Sequence, residues 1–514
     1  MRDPSDPSES WLHSTRNVAR EVLFSRPVLA AFGVLVLAAT VEVIPAFARL
    51  RLFGARPQDA VSELPAPPPS FAVGASRLAS ESRGESARSP ALDQRAKNAL
   101  PDLRQDEHGL LDKEPKVPVV DPTGTTLDGF FNALERTRRK QAGAVTRIAH
   151  FGDSIVVSDY VSATLRRRFQ ERFGDAGHGF SLIANAWPAY SHSDVERYAT
   201  AGWEVSRIVG PLAADGLYGL GCVSFSAPPN VLARFGTASS GDFGRRVSRY
   251  LVSYLAQPGG GAFQVSIDSK PEALVETAAE SKQTRVHEVV VPDGPHTLEV
   301  YTKRGRSRLF GVAMERDVPG VVLDAIGVQG ARLRFLDQQD DQHWAEQLRW
   351  RRPDLVIYQF GANESGDGFL YPMNDYRRTM EAVISQGRRA LPGSSCLVVG
   401  AMDRAAKRGD ELIGIAVIPH LLKEQRGAAE AMGCAFFDTY SAMGGPGSMA
   451  TWVKRELGQA DLTHPTADGA NLIGTWIFRA LLKRYRERLE SGTLASAGST
   501  GASNSAPTSS SPSR

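Results

Sequence analysis

Five short apolar runs constrain the fold of this chain more than any other feature. They are TRIAHF at 146–151, GVVLDAIGV at 320–328, DLVIYQF at 354–360, SCLVVG at 395–400 and CAFFDT at 434–439. Runs of this kind are typical of strands that are covered on both faces. Helical stretches lie between most of them, and one places Val161, Leu165, Phe169 and Phe173 on a single face. The alternation predicts a parallel, doubly wound sheet.

One interval breaks this alternation, between about Tyr190 and Pro319. Its short alternating runs are separated by Gly and Pro turns, as in YLVSYLAQPGGGAFQVSIDSK. Such a pattern predicts an antiparallel β unit, a sandwich or jelly roll, that is inserted into the α/β domain. Trp203, Tyr218 and Tyr254 lie in the insert and could stack on sugars, although core packing is the favoured role for each.

The two ends of the chain have a different character from the middle. Residues 28–40 are apolar without interruption, and the apolar character continues to Ala48, which is long enough to cross a bilayer. Ala46 and Ala48 also fit an A-x-A cleavage site, so a removed signal peptide stays open. Arginines flank both sides of the segment and leave its orientation undecided. The following stretch and the C-terminal run are rich in Pro, Ser, Ala and Gly, which predicts disorder.

These patterns together predict the order of segments along the chain. We predict a cytoplasmic N-terminus at 1–27, a transmembrane anchor or signal segment at 28–48, a disordered linker at 49–118, the first part of the α/β domain at 119–189, the β insert at 190–319, the second part of the α/β domain at 320–489 and a disordered tail at 490–514.

Composition argues against several classes of function. A formal charge of +3 is close to neutral for 514 residues, and the short basic clusters fit solvated helix ends, so we expect no nucleic-acid partner. Cys222, Cys396 and Cys434 are too few and too widely spaced for a disulfide framework or a zinc site, and we predict buried thiols. No cluster with metal-ligand spacing and no Gly-rich phosphate loop occurs, so we expect no metal and no cofactor.

Polar residues follow several of the predicted strands. They are Gly152, Asp153 and Ser154 after the first run, Gly330 after the second, Gly361 and Asn363 after the third, and Asp461 and His464 ahead of the last helical stretch. Ligands of open α/β sheets gather at the carboxyl ends of the strands. We therefore expect these residues to meet at one sheet edge.

Acyl transfer needs a hydroxyl, a base, a carboxylate that orients the base, and donors for the oxyanion. Ser154 would attack, His464 would accept its proton, and Asp461 would hold the other ring nitrogen. The backbone N–H groups of Ser154 and Gly330 and the side-chain amide of Asn363 would donate to the oxyanion. The sequence thus contains every part of a serine-hydrolase site.

Each segment taken alone also fits a simpler role. Gly-Asp-Ser after a strand is often a turn with a helix cap, Gly-x-Asn a loop, and Asp-x-x-His a helix entry. Their joint occurrence at strand ends favours catalysis, while the lack of G-x-S-x-G disfavours the α/β-hydrolase fold. Among other polar residues, we interpret Asp153 as orienting the turn, Asp159 as a helix N-cap and His178 as a loop histidine that the backbone satisfies, with a place in the glycan cleft as its alternative.

The motifs FGDS, GVQG, GANE and DLTH resemble the four blocks of the SGNH hydrolase superfamily, also called GDSL esterases. The resemblance covers about Leu127 to Leu489, with the insert excepted. It implies a flavodoxin-like α/β/α hydrolase with the triad and the oxyanion donors given above. Gln329 stands where Asn or Ser is common in the second block, so Gly327 remains a second candidate beside Gly330.

The β insert between the FGDS and GVQG motifs resembles, more narrowly, the envelope branch of peptidoglycan O-acetylesterases and related O-acetyltransferases. In that branch the insert is similar to a carbohydrate-binding module. The resemblance implies a serine esterase that removes O-acetyl groups from an envelope polysaccharide, above all peptidoglycan. An O-acetyltransferase with the same triad and a non-catalytic glycan-binding envelope protein stay open. We expect a single-pass protein of the inner membrane with a periplasmic catalytic domain, or a protein released into the periplasm after signal cleavage.

Overall fold

The computed structural model describes residues 117–492. The predicted N-terminus and membrane segment, and almost all of the predicted linker and tail, lie outside these residues. Between residues 117 and 492 no helix combines the length and the apolar content that a membrane crossing requires.

The α/β domain begins with two strands and three helices. These are β1 (Val119–Val120), α1 (Asp128–Arg138), β2 (Val145–Gly152), α2 (Ser154–Val157) and α3 (Tyr160–Phe173).

The chain then enters a long run of strands. These are β3 (Gly177–Leu182), β4 (Val195–Ala199), β5 (Glu204–Arg207), β6 (Val223–Ala227), β7 (Leu232–Thr237), β8 (Val247–Ala256), β9 (Ala262–Ile267), β10 (Lys270–Glu276), β11 (Gln283–Gly294), β12 (Thr297–Arg304) and β13 (Ser307–Glu315).

The remaining elements complete the α/β domain. They are β14 (Gly320–Gly327), a 3₁₀ helix (Leu333–Gln338), α4 (Asp341–Arg351), β15 (Leu355–Gln359), α5 (Ala362–Gly366), a second 3₁₀ helix (Gly368–Leu370), α6 (Met373–Ala390), β16 (Ser395–Val399), β17 (Ala405–Arg408), β18 (Glu411–Gly414), α7 (Ile418–Ala431), β19 (Ala435–Phe437), α8 (Thr439–Met443), α9 (Ser448–Lys454) and α10 (Ala467–Glu490).

The central sheet has the strand order β1-β19-β16-β15-β2-β14. Five of its strands run parallel, and they are formed by the five apolar runs of the sequence. The short β1 pairs with β19 in the antiparallel direction at one edge. Because the parallel strands share one direction, their carboxyl ends, and the polar residues that follow them, lie along one edge of the sheet.

Alternate residues of each parallel strand enter two different cores. In β15, Leu355 and Ile357 pack with the layer that contains α1, α3 and α10, whereas Val356 and Tyr358 pack with the layer that contains α4, α6 and α7. Side chains of a strand point to opposite faces in turn, so a strand covered on both sides must be apolar throughout. This is why the runs show no polar alternation. The predicted helical face of Val161, Leu165, Phe169 and Phe173 is buried in the first of these layers.

The insert consists of two antiparallel sheets. One has the order β10-β9-β12-β7-β4, and the other has the order β11-β8-β13-β6-β5 with β3 added on β13. Since β3 pairs with β13, the sheet of the insert starts before residue 190. Tyr218 and Tyr254 are buried, and Trp203 packs edge-on against Phe225 with ring centroids 6.4 Å apart. The core role favoured for these aromatic residues is therefore confirmed.

Buried charges join the insert to the α/β domain. Glu315, the last residue of β13, is paired with Arg351 of α4 at 2.7 Å and also with Arg147 of β2. Arg351 donates in addition to both oxygens of Asp324 in β14, at 2.8 and 2.7 Å, and Asp324 accepts the N–H of Phe180 in β3. Burial raises the pKa of Glu315, but the charges of Arg351 and Arg147 outweigh it and hold the pKa well below its usual range.

Cys396 and Cys434 form a disulfide, with 4.9 Å between their Cα atoms. The prediction of buried thiols is therefore wrong for these two cysteines, while Cys222 is a buried free thiol. The reason lies in the sheet: β16 and β19 are parallel neighbours, with Leu397 opposite Ala435, so the residues just before this pair are also opposite each other. A separation of 38 residues in the sequence hides this proximity.

We predict that Arg351→Ala lowers the free energy of unfolding by about 3–5 kcal/mol, because it leaves two buried carboxylates without their shared cation. Urea unfolding followed by circular dichroism measures the change. Arg349→Ala removes an exposed arginine of the same helix and should stay within about 0.5 kcal/mol of the wild type. Equal stability of the two variants would contradict the role assigned to Arg351.

Candidate active site

Four segments of the α/β domain meet at the carboxyl edge of the central sheet. Ser154 begins α2 directly after β2, and Gly330 lies in the loop after β14. Asn363 lies in the first turn of α5, which follows β15. Asp461 and His464 lie in the loop that leads into α10.

Ser154, His464 and Asp461 form a continuous hydrogen-bonded chain. The Ser154 Oγ lies 2.7 Å from His464 Nε2, and His464 Nδ1 lies 2.6 Å from Asp461 Oδ2. When the ring carries its proton on Nδ1, that nitrogen donates to Asp461 and Nε2 accepts from the serine hydroxyl. This is the arrangement that a serine nucleophile needs. The structure brings together the three residues selected from the sequence, and their catalytic roles stay predictions.

Backbone donors keep Asp461 in place. Its Oδ1 accepts the N–H groups of Thr463 at 2.9 Å and of His464 at 3.0 Å, which leaves Oδ2 directed at the imidazole. Burial raises the pKa of Asp461, but the hydrogen bonds from His464 and Thr463 outweigh it and bring the pKa below the ordinary value. The carboxylate is therefore ionised when it orients the ring.

Gly330 suits the oxyanion role better than Gly327. A Cβ atom at Gly327 would lie 2.2 Å from the Val157 nitrogen, so that glycine packs against the backbone of α2. Gly330 has a φ of +77°, and a Cβ atom there would have nothing within 4 Å. Its backbone is therefore open to an approaching ligand.

Asn363 lies against the same loop as Gly330. Its Nδ2 donates one hydrogen bond to the Ala331 carbonyl at 2.8 Å. A side-chain amide carries two N–H donors, so the second remains for a ligand oxygen. The predicted donors Gly330 and Asn363 are thus fixed relative to each other before any substrate binds.

Asp153 positions two of these segments. Its Oδ1 accepts the Ile155 N–H at 3.1 Å, and its Oδ2 accepts the Ala362 N–H at 3.3 Å. Burial raises the pKa of this carboxyl to about 6, although both N–H groups act in the opposite direction. The expectation that Asp153 orients the turn is confirmed, and the residue also joins the turn to the start of α5.

Glu364 is a buried carboxyl beside the site that the sequence did not predict, although it follows Asn363 directly. Its Oε1 accepts the Leu333 N–H at 2.7 Å, and Oε2 has no hydrogen-bond partner among the described residues. The side chain is 1 % exposed. Burial, together with the nearby Asp153, raises the pKa of Glu364 to about 7. The only signal in the sequence is a charged residue beside a motif asparagine, and that pattern does not separate a buried carboxyl from an exposed one.

Two other polar residues lie apart from the site. His178 is buried in strand β3, so the prediction of a loop histidine is wrong. Its Nε2 donates to the Gly244 carbonyl at 2.9 Å, as the backbone interpretation expected, whereas Nδ1 has no hydrogen-bond partner among the described residues. Asp159 occupies the N-cap position of α3, but its side chain caps nothing there. It pairs instead with the buried Arg166 at 3.0 Å and accepts the Ser193 N–H. The N-cap prediction for its side chain is wrong, because a buried guanidinium needs a counter-charge.

Comparisons with known proteins find one family model and several solved structures that are similar to parts of this chain. The model of the GDSL-like lipase/acylhydrolase family matches residues 292–472, which include Gly330, Asn363, Asp461 and His464 but not Ser154. A solved structure titled "Peptidoglycan O-acetylesterase in action, 5 min" is similar to 72% of this chain and 99% of its own, with 20% identity and a TM-score of 0.62. A family two carbohydrate esterase from Cellvibrio japonicus matches 57% of this chain and 98% of its own, with 13% identity and a TM-score of 0.24. No curated protein matches the chain.

The fold class predicted from the sequence is confirmed by the structural match. An α/β/α sandwich around a mainly parallel sheet, interrupted by an antiparallel β domain, accounts for the described residues. The resemblance on which the sequence interpretation relied is confirmed as well.

We predict that Glu364→Gln reduces the pH dependence of stability. The pKa of Glu364 rises on folding from 4.5 to about 7, so the folded protein holds a proton that the unfolded chain releases between these values. This contribution, on the order of 3 kcal/mol, is fully present below pH 4.5 and is lost as the pH rises through 7. Urea unfolding between pH 4.5 and 8 measures it.

The glutamine variant should show a flatter profile, with the part that comes from Asp153 retained. Glu430→Gln, an exposed change on α7, should reproduce the wild-type profile. A Glu364→Gln profile parallel to that of the wild type would contradict the prediction.

Proposed function

We propose that this chain is a serine esterase that removes O-acetyl groups from an envelope polysaccharide, above all peptidoglycan, because its residues 292–472 match the GDSL-like lipase/acylhydrolase family. The reaction proceeds through an acyl-enzyme. Ser154 attacks the acetyl carbonyl as His464 takes its proton, and the alcohol of the sugar leaves with that proton. Water then attacks the acetyl group on Ser154 in the same way, with His464 as the base, and acetate is released.

The observation that carries this proposal is the connected set of Ser154, His464 and Asp461. A serine that only capped a helix would need neither an imidazole at 2.7 Å nor a carboxylate behind it. Gly330 and Asn363 add donors on the neighbouring loop, where the oxyanion of the tetrahedral intermediate would form. The same set argues against a glycan-binding protein without activity.

The exposure of the site supports a polymeric substrate. The side chains of His464 and Asp461 are 32% and 46% exposed, so the nucleophile lies at a shallow surface rather than in a deep acyl-chain tunnel. A short acyl group on a long glycan fits such a site. The similarity to a structure titled as a peptidoglycan O-acetylesterase favours that glycan among acetylated polysaccharides. Glycan binding by the β insert stays a prediction.

An O-acetyltransferase is the alternative, since it would use the same residues. The two reactions differ only in whether water or a sugar hydroxyl takes the acetyl group from Ser154. The accessible site admits both acceptors.

We predict that Ser154→Ala and His464→Ala abolish acetate release, because the nucleophile or its base is gone. Asn363→Ala, which removes one oxyanion donor, should lower kcat roughly 10²- to 10³-fold. Acetate release is measured from O-acetylated peptidoglycan and from acetylated xylan, with and without a sugar acceptor. Ser158→Ala, four residues after the nucleophile, serves as the matched control.

An active Ser154→Ala variant would refute the serine mechanism. Faster acetate release from xylan would refute the proposed substrate, and transfer of acetyl to the acceptor in place of release would favour the transferase.

We propose that the catalytic domain lies in the periplasm and is tethered to the inner membrane by residues 28–48. The Cys396–Cys434 disulfide supports this placement, because disulfides persist in oxidising compartments. Protease added to spheroplasts should digest the domain while a cytoplasmic marker stays intact. A domain that resists digestion until the inner membrane is broken would contradict the placement.

A further inference from the structure

Arg404 lies at the same sheet edge as the candidate site, after β16 and directly before β17. Its side chain runs between the loop that carries His464 and the helix α5 that carries Asn363. It is partly buried there, and its guanidinium contacts both segments.

Towards the His464 loop, the guanidinium binds Thr463. Arg404 Nε and Nη2 donate to Thr463 Oγ1 at 3.2 and 3.1 Å. The Thr463 hydroxyl in turn donates to the Asp461 carbonyl at 3.2 Å. Arg404 therefore fixes the turn in which Asp461 and His464 lie, without touching either side chain.

Towards α5, the third guanidinium nitrogen binds the first turn of the helix. Arg404 Nη1 donates to the Ala362 carbonyl at 2.6 Å and to Ser365 Oγ at 2.8 Å. Ala362 immediately precedes Asn363, and its N–H is held from the other side by Asp153. The position of the Asn363 amide is thus set partly by Arg404.

We propose that Arg404 is a positioning residue for the esterase reaction, holding the His464 base and the Asn363 oxyanion donor at a constant separation. The proposal rests on the proposed function. Proton transfer at Nε2 and donation from Asn363 must act on one tetrahedral centre, so an error of about 1 Å between them can lower the rate about 10²-fold. The planar guanidinium has several N–H donors and binds Thr463 and Ala362 at the same time, whereas a lysine ammonium is a compact charge on one nitrogen.

A double-variant cycle of Arg404→Ala and Thr463→Val tests the proposal with a small acetyl ester. Each single variant should lower kcat about 10- to 100-fold and change KM less than about twofold, because neither side chain is expected to contact substrate. The double variant should lose about as much activity as the Arg404→Ala variant alone, because removal of Arg404 already breaks its hydrogen bonds to Thr463. Labelling of Ser154 by a phosphonate probe should slow in parallel.

Conservative variants separate positioning from folding. Arg404→Lys should recover part of the Arg404→Ala loss, and Thr463→Ser, which keeps the hydroxyl, should recover most of the Thr463→Val loss. Arg408→Ala, at the exposed end of β17, should leave kcat unchanged. Thermal unfolding shows which variants are folded. If Arg404→Ala does not fold, the near-isosteric Thr463→Val still tests the hydrogen bonds between Arg404 and Thr463.

Two results would overturn the proposal while the wild type remains active. One is a folded Thr463→Val or Arg404→Ala protein with wild-type kcat, and the other is a double variant whose loss equals the product of the single losses. A wild type that neither hydrolyses the ester nor reacts with the phosphonate would overturn the esterase itself, and the role of Arg404 with it.

Discussion

The hydrogen bonds of the buried Asp153 carboxylate connect the segments that follow β2 and β15, which carry Ser154 and Asn363. One oxygen binds the turn that begins at Ser154, and the other binds the first N–H of α5. This bridge joins the nucleophile directly to the segment that carries Asn363, in addition to the pairing of β2 with β15 and the longer path through His464 and Arg404. The interaction is costly, because burial raises the pKa of the carboxyl, and the two N–H groups are what make its ionised form tolerable there.

The short helix α5 extends this bridge to the rest of the site. Asn363 binds the carbonyl of Ala331, Glu364 binds the N–H of Leu333, and the carboxylate of Asp367 pairs with Arg332. These contacts attach the Gly330 loop to α5 before substrate arrives. The predicted oxyanion donors are therefore held in place, and donors that need little rearrangement during a reaction are the basis of electrostatic stabilisation.

The insert is attached on a different side of the same framework. Its last strand ends at Glu315, whose ion pairs with Arg351 and Arg147 lie towards the amino ends of β2 and β14 rather than at the Ser154 edge. The chain between Ser154 and Gly330 can therefore be long without disturbing the geometry of either residue. Buried ion pairs give such a junction a fixed orientation, since any other placement would leave a charge unpaired.

The sequence alone determined the layered architecture and which polar residues lie together at one edge of the sheet. Strands covered on both faces must be apolar at every position, so they could be recognised as runs, and the polar residues after Phe151, Val328 and Phe360 could be placed at one edge. The choice of Ser154, Asn363, Asp461 and His464 followed from the chemistry of acyl transfer and from the motifs.

Tertiary structure decided what depends on contacts between distant segments. The Cys396–Cys434 bond and the pairing of Asp159 with Arg166 could not be read from the sequence for this reason. The burial of Glu364 could not be predicted either. It depends on how neighbouring loops cover the side chain, which the residues next to it in the sequence do not indicate.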